Sequence, residues 1–110
     1  MTERRVYSKA VRDAAALLAS QIRAARIARG WTVVELADRG SVSKNTVVKV
    51  ERGDPSVALG IAFELASLCG VPLFFDDEAR LAWESRAALE RVALLPRRVR
   101  SSGPEPDYDF

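Results

Sequence analysis

The chain has no histidine, and its 110 residues contain a single cysteine, Cys69. Without His, the commonest metal ligand and general base is missing. One thiol with no His beside it makes neither a zinc site nor a nucleophile dyad, so Cys69 reads as a core residue next to Leu68. It cannot form an internal disulfide either, which suits a reducing compartment. No apolar run approaches the roughly 18–20 residues of a membrane span. The opening "MTERRVYSKAV" is charged where a signal peptide would be apolar, so the expected location is cytoplasmic. "GDPSVALG" lacks the Gly-Lys-Ser/Thr of a phosphate loop. The triplet Asp76, Asp77 and Glu78 suits the start of a helix better than a metal cluster. These absences exclude most enzyme chemistry; neither catalysis, metal nor cofactor is expected.

Aromatics are few, with four Phe, two Tyr and two Trp, so a core must be built mainly from Ala, Leu and Val. The apolar share of 48% is enough for one compact core, and the length for one domain. Charge is unevenly spread. Residues 1–53 carry eleven Lys/Arg against five Asp/Glu, whereas residues 54–110 carry six against ten. A basic half joined to an acidic half points either to a polyanion-facing surface with a second partner surface, or to ordinary helix decoration.

Periodicity predicts an almost wholly helical chain. A first helix is expected from about Arg12 to Arg29, with Leu18, Ile22 and Ala25 on one face and Gly30 ending it. Thr32 caps a second carrying Leu36 and Ala37, with Glu35 at capping-box spacing. Ser43 opens a third with Val47 and Val50 inward, closed by Gly53. Pro55 and Ser56 are expected to start a fourth, with Ala58, Ile61, Ala62, Leu65 and Leu68 on one stripe and Gly70 at its end. A fifth follows the acidic triplet, running to about Leu94 and stopping at Pro96. Three regions result: a flexible basic N-terminus over 1–11, a helical domain over 12–95, and a tail over 96–110.

The second and third helices form the constellation of interest. A DNA major groove about 12 Å wide admits one helix whose N-terminal residues meet base edges. Such a helix needs an apolar stripe inward and short polar or basic side chains outward. The third helix divides this way, leaving Lys44, Asn45, Thr46 and Lys49 to meet bases. Asn bonds adenine bidentately, Lys reaches guanine or phosphate, and the Thr methyl meets thymine. Thr32, Ser43, Arg52 and Ser56 suit phosphates, which fix register without reading sequence. The competing reading is a solvated helix face.

The order of residues adds a resemblance. "IRAARIARGWTVVELA", then "VS" opening a helix, "TVVKVERG" closing it and an apolar fourth helix resemble the Xre-family, lambda-repressor-like helix-turn-helix. The resemblance implies an all-α bundle of about five helices with a C-terminal tail. It also implies an ion pair between Arg26 and Glu51 that clamps the first helix to the third. Two positions depart from the family pattern. Val33 stands where a Gln beside the phosphate backbone is usual, and Gly40-Ser41 stands where Ala-Gly is usual. Either Ser41 takes the left-handed conformation or the turn is rebuilt around Gly40.

The C-terminal half resembles a narrower group. "ERGDPSVALGIAFELASLCGVPLF", followed by "LLPRRVR" and the ending "DYDF", is similar to HipB-like antitoxins paired with HipA-type serine/threonine kinase toxins. That resemblance implies a homodimer that represses its own operon at a palindromic operator and binds the toxin kinase. The face Leu81, Trp83, Leu89 and Val92 is the candidate dimer surface. Trp83, Arg97, Arg98, Arg100, Tyr108 and Phe110 are the candidate partner contacts. The alternatives are a stand-alone Xre-family regulator without a toxin and a helical adaptor that binds only protein.

Overall fold

The computed structural model describes residues 5–99. They form five helices, α1 (Lys9–Ala28), α2 (Val33–Gly40), α3 (Lys44–Glu51), α4 (Leu59–Cys69) and α5 (Glu78–Ala93). The fold is all-α, in keeping with a lambda-repressor-like bundle, and no strand occurs among the described residues. No described helix is long and apolar enough to cross a membrane. Contacts divide the chain into a unit ending at Asp76 and a second beginning at Asp77.

In the first unit, each of four helices buries one large side chain completely: Ile22, Leu36, Val47 and Leu65. Ala19, Ala37, Val50, Ala66, Cys69 and Val71 complete the buried apolar set. Burying each Leu, Ile or Val contributes about 2 kcal/mol, and such tertiary burial rather than helix propensity holds helices this short. Burial also pushes the Cys69 thiol above its ordinary pKa, consistent with a packing role.

Helix ends explain the boundaries. α1 begins three residues before the expected start, because the Ser8 hydroxyl accepts the Val11 N–H at 3.3 Å and a Lys9–Asp13 pair at 2.7 Å supports the first turn. α2 has the full capping box. The Glu35 N–H donates to Thr32 Oγ1, and the Thr32 N–H donates to Glu35 Oε1, both at 3.0 Å. These bonds to Thr32 hold the Glu35 carboxyl below its ordinary pKa. α4 is a correction: it starts at Leu59, not at Pro55, and Ala58 is its exposed N-cap rather than part of its inward stripe. Asp54 is the reason. Its carboxylate accepts from the Ser56 N–H at 2.9 Å and the Ser56 hydroxyl at 2.6 Å, folding 54–56 into a side-chain-stabilised turn.

In the second unit, the Asp77 carboxylate caps α5 by accepting the Ala79 N–H at 2.9 Å, with Glu78 in the first turn and Arg91 in the last. No residue of α5 is buried.

Candidate nucleic-acid interface

α2 and α3 are joined by Ser41-Val42-Ser43. α2 ends in a Schellman motif, with Val42 N–H bonded to Ala37 O at 3.0 Å and Ser41 N–H to Asp38 O at 3.3 Å. The same motif ends α1, α3 and α4, where Gly30, Gly53 and Gly70 take the positive φ. In α2 that position belongs to Ser41, at φ 55° and ψ 42°. Gly40 remains helical for a different reason. A Cβ on it would stand 2.8 Å from Leu65 Cδ2, on a side chain with no exposed surface. The glycine therefore sits where α2 presses against α4, and the serine takes the left-handed turn.

Ser43 caps α3. Its Oγ accepts the Thr46 N–H at 3.1 Å and shares a 2.9 Å hydrogen bond with the Thr46 hydroxyl. At 100° per residue, Val47 and Val50 face the core, while Asn45, Val48, Lys49 and Arg52 occupy the opposite side with Lys44 at its edge. Lys44, Asn45, Lys49 and Arg52 are exposed and Val48 is half-buried. Thr46 lies on the flank, half-buried, with its hydroxyl engaged by Ser43. Val48 is absent from the sequence-derived set, although its spacing of four from Lys44 and three from Asn45 signals the outward side. It offers a thymine methyl the apolar contact assigned to Thr46.

Among the candidate phosphate contacts, Thr32, Ser43, Arg52 and Ser56 are all exposed. Thr32 and Ser43 stand at helix N-termini, Arg52 at the C-cap of α3, and Ser56 in the Asp54 turn. The hydrogen bonds from Ser56 hold the Asp54 carboxyl below its ordinary pKa. α4 begins beyond Ser56, so the N–H groups following Ser56 are not a helix N-terminus.

The pair is braced from α1. Arg26 donates to Glu51 through Nε at 2.7 Å and Nη2 at 3.0 Å, and to the Trp31 carbonyl through Nη1 at 2.8 Å. The two side chains are only 9% and 6% exposed, so the pair is buried and bidentate. A second brace was not legible in the sequence. The Arg29 and Arg39 guanidinium groups lie 5.1 and 4.2 Å from the centre of the Trp31 ring, and Arg29 Nε donates to the Cys69 carbonyl at 2.9 Å.

In the second unit, Trp83, Leu89 and Val92 are exposed at 62, 68 and 63%, Leu81 is half-buried, and Arg97 and Arg98 are exposed. Arg100, Tyr108 and Phe110 lie outside the described residues.

Residues 22–75 match the helix-turn-helix family, of the Xre or lambda-repressor-like type, over just under half of the chain. The match takes in the Arg26–Glu51 pair, α2 and α3 with the turn between them, and all of α4. No curated protein and no solved structure matches the chain.

Proposed function

We propose, for a chain whose residues 22–75 carry this DNA-binding helix-turn-helix, a homodimeric antitoxin in the cytoplasm that represses its own operon and neutralises a HipA-like serine/threonine kinase toxin by direct binding. The observation that supports the DNA-reading part is the division of α3. Val47 and Val50 anchor it, and Asn45, Val48, Lys49 and Arg52 form one outward side with Lys44 at its edge. Asn45 and Lys49 carry base recognition. Thr32, Ser43 and Arg52 contact phosphates. A twofold dimer presents two copies of α3 to half-sites about one helical turn apart, or a small multiple of it.

The antitoxin part is supported by the sequence pattern "LPRRVR…DYDF" alone, and places the toxin contacts on Trp83, Arg97, Arg98, Arg100, Tyr108 and Phe110. The dimer surface is the exposed apolar side of α5.

Two measurements test these parts separately. On the duplex upstream of its own gene, Asn45→Ala is expected to cost about 1–3 kcal/mol and to relax base preference. Lys44→Ala, acting on phosphate, weakens all duplexes about equally. An unchanged ratio of specific to non-specific binding in Asn45→Ala would remove α3 from base recognition. Co-purification with a neighbouring kinase-like gene product tests the antitoxin reading. Deleting residues 101–110 is expected to weaken that complex, and unchanged affinity would exclude the tail.

A further inference from the structure

Two segments far apart in sequence meet around a concavity of about 580 Å³, lined by Arg5, Tyr7 and Arg12 from the start of the chain and by Arg52, Asp54 and Ser56 after α3. The first segment is tied to the start of α1. Arg12 Nη1 donates to the Tyr7 carbonyl at 2.7 Å, and the Arg5 guanidinium lies 5.4 Å from the centre of the Tyr7 ring.

Three arginines thus line one concave surface with a single carboxylate, Asp54. That carboxylate is engaged by the Ser56 N–H and hydroxyl. Among the described residues, none of the three arginines makes a close ion pair. Arg52 lies close enough to Asp54 to help lower its pKa, and the net excess of positive charge on this surface favours an anion that takes several N–H donors at once. Guanidinium forks match a phosphate in this way. The position matters as much as the charge. Arg52 also belongs to the outward side of α3 with Asn45 and Lys49, so the concavity continues the candidate reading surface past the end of that helix.

We propose that this concavity seats a phosphodiester of the DNA backbone, with Arg5 and Arg12 as phosphate ligands alongside Arg52. The segment before α1 is then part of the DNA-binding surface rather than a solvated end. The proposal rests on the DNA-binding reading above, and its ligand is sequence-independent.

The test is equilibrium binding of the full chain to a mixed-sequence duplex across a salt series, for the wild type, Arg5→Gln, Arg12→Gln and Arg23→Gln. Arg23 is exposed on α1, ~16 Å along the helix axis from Arg12, and controls for the loss of one charge away from the concavity. Arg5→Gln and Arg12→Gln are each expected to reduce the slope of log affinity against log salt by about 0.9. Each is also expected to weaken binding about eight-fold at 0.1 M salt, with Arg23→Gln close to wild type. Unchanged melting temperatures establish that the variants are folded. If Arg5→Gln and Arg12→Gln follow Arg23→Gln while the wild type shows a steep slope, the proposal is overturned and the DNA-binding reading stands. A wild type with no salt-sensitive binding overturns both. Calorimetry with inorganic phosphate separates the other source. Phosphate binding lost in Arg5→Gln, with the duplex slope unchanged, would make this a free-phosphate site and also overturn the proposal.

Discussion

Ser41 and Gly40 are adjacent residues with opposite demands. A left-handed conformation costs a residue with a side chain about 1–2 kcal/mol, and a glycine there gives back part of that gain through unfolded-chain entropy. Ser41→Gly is therefore expected to raise stability by about 0.5–1 kcal/mol, several degrees in melting temperature for a domain of this size. Gly40→Ala gains helix propensity of about 1 kcal/mol but drives a Cβ to 2.8 Å from Leu65 Cδ2, and overpacking of about 1–3 kcal/mol outweighs the gain. The double variant restores the Ala-Gly order usual in the family. Thermal denaturation should place it below Ser41→Gly alone. A double variant more stable than Ser41→Gly would mean that the Leu65 contact is not what keeps glycine at position 40. The sequence showed that one of the two residues had to be left-handed. It could not show which, because the deciding atom belongs to Leu65 on another helix.

At the level of elements, α3 has only eight residues, too few to persist without tertiary contacts. Two things hold it: Val47 and Val50 in the core, and Glu51 in the grip of Arg26. Removing one partner of such a buried pair strands the other charge, so Arg26→Ala or Glu51→Ala is expected to cost about 3–5 kcal/mol. That is a large share of the roughly 5–15 kcal/mol of a typical domain. Chemical denaturation would check it, and a loss below 1 kcal/mol in both variants would show the pair to be solvated. The helices themselves were legible from capping residues and 3.6-residue spacing. The start of α4 was misjudged because Pro55 and Ser56 also suit a helix opening. The competing signal, Asp54 two residues before Ser56, was present in the sequence and forms the turn instead.

At the scale of the whole molecule, every buried apolar residue among the described residues lies at or before Val71, and α5 has none. A chain ending at Asp76 is accordingly expected to keep the cooperative unfolding of the first unit. If α5 supplies the dimer surface, the same truncation yields a monomer, whose half-site affinity falls well below that of the full chain. Sedimentation of both forms decides this, and a truncated chain that remains dimeric would move the dimer surface into the first unit. The exposed Trp83, Leu89 and Val92 give α5 apolar surface for a partner, and the proposed toxin contacts share that unit.

The sequence by itself determined the helical class, four of the five helix starts to within three residues, and the two inward residues of α3, Val47 and Val50. Each of these depends on side chains within one or two turns of each other. Tertiary structure decided what depends on residues distant in the chain. It brought Arg26 onto Glu51 with bidentate geometry, set Arg29 and Arg39 against the Trp31 ring, kept glycine at position 40 beneath Leu65, and gathered Arg5 and Arg12 with Arg52 around one concavity. Local periodicity does not encode such meetings, because packing the helices against one another fixes which faces and ends share a surface.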